Sequence, residues 1–144
     1  MSFMRYMKMK FIGIDYGRRR IGLAVSDETG VCVRGLQTID RNKNPDPLPA
    51  LLTIIGALNP SGLVIGLPLN SDDNETTMSL EVRNFAAELE KRVAVPVYFI
   101  DESLTSKQAE GLLRFRKKKV RRSKDAVNRI AACLILEAFL KEQR

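Results

Sequence analysis

Apolar residues open this chain in short runs separated by turns. Lys10–Asp15, Ile21–Ser26 and Val31–Ile39 each read as a strand. The first turn carries Gly17, and the second is Asp27-Glu28-Thr29-Gly30, acid first and glycine last as a tight turn requires. Connections this short predict an antiparallel meander. Arg41–Pro49 is polar and rich in Asn, Asp and Pro, hence a loop. The period then changes, with Leu48, Leu51, Leu52, Ile55 and Leu58 at helical spacing. Gly62–Leu67 is an apolar strand cut by Pro68, and the polar loop Asn70–Thr77 leads into a helix with Val82, Phe85, Ala86 and Leu89 on one face. Pro96–Ile100 reads as the fifth strand and ends in Asp101-Glu102. Thr105 with Gln108 predicts a capping box for a third helix bearing Leu112 and Leu113, and Ser123 opens a last helix that runs close to the C-terminus.

Strands separated by helices pair in parallel through right-handed crossovers. The expected architecture is therefore α/β: a mixed five-stranded sheet, three antiparallel strands then two parallel, flanked by helices. Neither repeat nor linker interrupts it, which predicts a single domain over residues 9–144. Residues 1–8, crowded with Met1, Met4 and Met7 just before Met9, read as an N-terminal extension.

Composition narrows the chemistry. An apolar fraction of 44% and a charged fraction of 28% fit an ordinary globular domain. No apolar run approaches the roughly 20 residues of a spanning helix, and the start has no apolar h-region for secretion. Cys32 and Cys133 read as small buried apolar residues. There is no histidine, which excludes Ser-His and Cys-His nucleophilic machinery. Hydrolysis here must rest on carboxylates, lysines or a metal.

The net charge of +7 is local. Arg114, Arg116, Lys117, Lys118, Lys119, Arg121, Arg122 and Lys124 fall within one acid-free stretch, and without these eight the remaining 16 basic residues face 17 acidic ones. A solvated loop is the plain alternative. Focused positive charge instead suits a polyanion, because clustered Lys and Arg displace phosphate counterions. No amphipathic face accompanies the cluster to suggest a membrane surface.

Asp15 closes the first strand and Glu102 follows the fifth, and in open α/β sheets sites gather at the carboxyl ends of strands. In the last helix Asp125 and Asn128 are three apart on one face, a stripe that continues through Ala132, Leu136 and Phe139. Ile130–Leu136 is apolar all round, as in a helix buried on several sides. An Asp in the first turn also complements the helix dipole, but that does not explain Asn128.

Four blocks, in order and suitably spaced from about Met9 to the end, resemble one family. Gly13-Ile14-Asp15-Tyr16-Gly17 with Ile21-Gly22-Leu23-Ala24-Val25-Ser26-Asp27 looks like the opening of the YqgF/RuvX family. Gly66-Leu67-Pro68-Leu69-Asn70, Asp101-Glu102-Ser103-Leu104-Thr105 and Ile130-Ala131-Ala132-Cys133-Leu134-Ile135-Leu136 are similar to its later blocks. The resemblance implies an RNase H-like fold shared with RuvC-type resolvases, and a cytoplasmic bacterial nuclease that matures the 5′ end of 16S rRNA. It implies metal-ligating acids at Asp15 and Glu102. The family's third acid corresponds to Asn128, a neutral oxygen donor, and Asp125 one turn earlier is placed to restore the charge. Ser103 stands where the family has arginine.

Cleaving a phosphodiester brings hydroxide to an anion and releases an alkoxide, and two Mg²⁺ or Mn²⁺ ions about 4 Å apart serve both ends. The expected set is Asp15 bridging, Glu102 and Asp125 completing the shell, and Asn128 auxiliary. Arg18, Arg19 and Arg20, with Lys117, Lys118, Lys119, Arg121 and Arg122, would hold the backbone with little sequence reading. The expected partners are precursor rRNA or structured DNA and pre-ribosomal particles, for a monomer or homodimer that does not bind membranes. The rivals are a Holliday junction DNA resolvase, a non-catalytic nucleic-acid or ribosome binder, and an actin-like phosphotransferase, whose two-domain architecture exceeds 144 residues.

Overall fold

Alternation within the first apolar runs builds the centre of the sheet. The computed structural model describes residues 9–70, 72, 74–101 and 124–143, without the side chains of positions 124 and 125. β1 (Phe11–Asp15) sends Ile12 and Ile14 to one face and Phe11 to the other. β2 (Arg20–Ser26) pairs antiparallel with it, and β5 (Gly62–Leu67) lies parallel on its other side, followed by parallel β6 (Val97–Asp101). From β2 the order runs β2-β1-β5-β6, with the remaining strands pairing on the outer side of β2, the mixed sheet expected.

The third strand differs from expectation. Val31 and Cys32 belong to the turn, where Asp27 Oδ1 accepts hydrogen bonds from both backbone N–H groups. The strand then forms in two pieces, β3 (Val33–Gly35) and β4 (Ile39–Asp40), each pairing with β2. Ala24 faces Gly35 while Ile21 faces Ile39, so two residues of β2 oppose three of its partner. That extra residue is a β-bulge.

The first helix, α1 (Leu48–Leu58), starts directly after Pro47 and takes Leu48 and Pro49 out of the predicted loop. Asn59 ends it in the left-handed conformation, φ 49°, donating its N–H to the Ile55 carbonyl. α2 (Thr77–Glu90) has a reciprocal capping box: Thr76 Oγ1 accepts from the Ser79 N–H and Ser79 Oγ from the Thr76 N–H. Both helices bury Leu51, Ile55, Val82, Ala86 and Leu89 against Ile12, Ile14, Leu63 and Ile65.

α3 (Lys124–Gln143) covers the opposite face, with Ala132, Ile135, Leu136 and Phe139 packed on Phe11, Ala24 and Val64. The predicted stripe through Ala132, Leu136 and Phe139 is thus the buried one. Ile130, Cys133 and Leu134 are half-buried, so the helix is covered mainly from the sheet side. Cys32 is exposed rather than buried, because it sits on the turn, and Cys133 is half-buried. Thr105, Gln108, Leu112, Leu113 and Ser123 lie outside the described residues.

Candidate active site at the carboxyl end of β1

Small residues decide how closely α3 approaches the sheet. Gly13 and Gly35 both pair with Ala24, and Gly22 pairs with Asp15. A Cβ on Gly13 would lie 2.7 Å from the Ala132 carbonyl oxygen and 2.9 Å from Leu136 Cβ. A Cβ on Gly35 would overlap the Arg129 side chain, and one on Gly22 the Asn128 carbonyl. With only hydrogen or a methyl group at Gly13, Gly22, Ala24 and Gly35, the helix backbone comes close to the strands.

That contact brings two predicted residues together. Phe11 and Gly13 face α3, so the strand period of two turns Asp15 toward the same face. Asn128 lies on Gly22, the register partner of Asp15. Contacts run from Asn128 over Gly22, through Ala132 over Gly13, to Phe139 against Phe11 at 5.1 Å, so α3 runs antiparallel to β1. The helical turn of Asp125 therefore continues past Asn128 toward the carboxyl ends of the strands. β6 ends there too, with Asp101 in register with Leu67.

A second group of polar residues fastens the β1–β2 turn from the other face. Tyr16 is buried and stacks on Phe85, ring centres 4.8 Å apart. Its hydroxyl accepts from Arg41 Nη1 at 2.9 Å and donates to Glu81 Oε1 at 3.2 Å. Arg41 lies over the Tyr16 ring, 5.2 Å from its centre, and also donates to the Gly17 carbonyl. Arg18 Nε donates to Glu81 Oε2 at 2.8 Å. The Arg18 hydrogen bond, then that of Tyr16, holds the Glu81 carboxyl below its ordinary range.

The predicted residues thus fall into distinct groups. Asp15 and Asn128 share one corner. Asp125 is in α3 but its side chain lies outside the description, as do Glu102, Lys117, Lys118, Lys119, Arg121 and Arg122. Arg18 pairs with Glu81, Arg19 approaches Asp40 at 3.6 Å, and Arg20 opens β2. Sequence reasoning missed Glu81 and Arg41, because no local pattern links them to a turn over 60 or over 20 residues away. Among the described residues no three Asp, Glu or Cys gather as a metal cage. The described pair nonetheless offers only oxygen donors, the ligand type hard divalent cations take. A cavity of about 530 Å³ beside Ser26, Asp27 and Cys32 lies at the opposite end of the sheet.

Comparisons with known proteins find relatives over most of the chain. Residues 9–142 match the family model described as RuvX, Holliday junction resolvase. A protein of Koribacter versatilis named "Putative pre-16S rRNA nuclease" is 40% identical over 93% of this chain and 88% of its own. One of the same name from Synechococcus elongatus is 38% identical over 92% and 89%. The fold resembles RuvC of T. thermophilus in complex with a Holliday junction substrate, at TM-score 0.59 and 18% identity over 94% of this chain and 96% of that one. It also resembles the Fowlpox virus resolvase with junction DNA, at TM-score 0.60 and 12% identity over 94% and 99%. No helix among the described residues is long and apolar enough to cross a membrane.

Proposed function

The chain belongs to the RuvX family and is a nuclease, a hydrolase of phosphodiester bonds in nucleic acid, and on that premise we propose that it matures the 5′ end of precursor 16S rRNA at the corner shared by Asp15 and Asn128. The observation that carries the site is the seating of Asn128 on Gly22, beside Asp15. We assign Asp15 and Asn128 as oxygen donors to Mg²⁺ or Mn²⁺, with Glu102 and Asp125 completing the set. Tyr98 and Ile100 pack on the α3 side of β6, the strand that directly precedes Glu102 in the sequence. When bound, the ions supply a nucleophilic hydroxide and stabilise the leaving oxygen.

The chain's own groups have separate tasks. Asp15 holds negative charge at the strand end, and Asn128 adds an oxygen without adding repulsion toward the phosphate. The basic residues at 114–124 and Arg18 hold the backbone, which gives affinity without reading bases. A pre-ribosomal particle is the proposed setting, with the chain acting as a monomer or homodimer in the cytoplasm.

Cleavage of a precursor 16S rRNA hairpin, single-stranded DNA and a four-way DNA junction, with Mg²⁺ or Mn²⁺, tests the assignment. Hydrolysis of the hairpin supports it, and preference for the junction moves the reading to a resolvase. Asp125→Asn is expected to abolish cleavage, whereas Asn128→Asp keeps or raises it and lowers the metal concentration at half-maximal rate. Normal cleavage by Asp125→Asn leaves Asp125 as a dipole-complementing residue only. If neither wild type nor Asn128→Asp cleaves any substrate, a non-catalytic binder is the better description.

A further inference from the structure

Arg18 is held by one nitrogen and presents the others. Its Nε donates to Glu81 Oε2 at 2.8 Å, yet the side chain is 65% exposed, and among the described residues Nη1 and Nη2 make no hydrogen bond. Glu81 is itself held, because its other oxygen accepts from the buried Tyr16 hydroxyl. Arg41 donates to that same hydroxyl and to the Gly17 carbonyl. Glu81 stands on α2, a helix packed into the core through Val82, Ala86 and Leu89. Arg19, three bonds of chain further on, is differently employed: it lies along Asp40, and its backbone carbonyl accepts from the Arg41 N–H.

We propose that Glu81 is a positioning residue that holds the free end of Arg18 for a nucleic-acid phosphate at the β1–β2 turn, the turn that follows Asp15, with Tyr16 and Arg41 locking Glu81 in place. The inference rests on the nuclease reading above and adds to it. A guanidinium tethered through Nε keeps its end-on pair of N–H groups for two phosphate oxygens, a geometry an ammonium cannot reproduce. Tethering also removes rotamer freedom before the substrate arrives, which is worth about threefold to tenfold in affinity for one long side chain. Arg19, committed to the β4 edge, is assigned to the turn itself.

Net charge separates positioning from plain electrostatics. Glu81→Gln removes a negative charge, so a mere field effect strengthens binding to a polyanion. The positioning role predicts the reverse. Binding of a labelled precursor-rRNA hairpin and a four-way DNA junction, measured in EDTA across a salt series, reads this directly. Glu81→Gln is expected to bind both about threefold to tenfold more weakly. Arg18→Gln is expected to bind about tenfold more weakly and to lower the salt slope by about one, as loss of one phosphate contact does. Arg18→Lys should recover the slope but not the affinity, and the double variant should match Arg18→Gln. Equal or tighter binding by Glu81→Gln with an unchanged melting temperature overturns the proposal, as does wild-type binding by Arg18→Gln. Should Glu81→Gln fail to fold, Arg18→Gln decides alone, since an exposed side chain is removed. The two readings fail separately. A wild type that binds with these slopes but cleaves nothing keeps the positioning role and loses the catalytic one.

Discussion

At Gly22 the fold leaves no room for a methyl group, since a Cβ there would overlap the Asn128 carbonyl and lie 3.0 Å from Asn128 Cβ. Both obstacles are close to backbone and cannot swing aside. Gly22→Ala is therefore expected to lift the first turns of α3 off β2, cost about 1–3 kcal/mol of stability as overpacking does, and reduce cleavage more than nucleic-acid binding. Gly56→Ala is the matched control. That position lies within α1 with nothing within 4 Å of an added Cβ, so alanine should stabilise by about 0.5–1 kcal/mol and leave cleavage unchanged. Denaturant midpoints with cleavage rates check both, and full activity in Gly22→Ala would detach the site from the Gly22 contact.

Among the elements, the loop entering α2 is tied by one carboxylate. Glu75 accepts from Arg83 Nε and Nη2 at 2.8 and 2.9 Å and from Ser79 Oγ at 2.9 Å. The Arg83 hydrogen bonds first, then that of Ser79, hold its carboxyl at about 2, against an ordinary 4.5. A carboxyl depressed by folding stabilises above the unfolded value and loses that contribution as pH falls toward the folded one. The melting temperature of Glu75→Gln should thus lie below wild type at neutral pH, and the two curves should converge as pH falls from about 4.5 to about 2. A gap that stays constant across this window would show that Arg83 does not hold Glu75 in solution. The helices α1 and α2 and the strand β5 were legible in the sequence, the helices from their apolar period and β5 from its unbroken apolar run. The break between β3 and β4 was not, because a bulge is set by the register against β2 rather than by residue type. The cap of α2 also escaped notice, since Ser79 fills the position where the usual pattern has Glu or Gln. At the site, Asp15 and the Asn128 stripe could be read from strand ends and helical spacing. The Glu81 tie to Arg18 spans 63 residues, and only the topology selects it.

For the whole molecule, the positive charge is local: eight of the 24 basic residues fall at 114–124. Neutralising Lys117, Lys118, Lys119, Arg121 and Arg122 together should weaken binding to RNA and DNA of any sequence alike and flatten the dependence on salt, since phosphate contacts carry the counterion release. Circular dichroism on the same variant should show the wild-type spectrum. An unchanged salt slope would reduce this stretch to a solvated charged loop.

The seating of α3 also has an evolutionary consequence. What touches Gly22 at position 128 is the carbonyl oxygen and Cβ, atoms common to asparagine and aspartate. Packing is therefore blind to which of the two stands there, while the chemistry of the corner is not. Asparagine and aspartate codons differ by a single base, so one point mutation can add or delete a formal charge at the corner with the scaffold undisturbed. On the proposed assignment, activity can drift, lapse and return along a lineage without any of the compensating core changes that a refolded helix would demand.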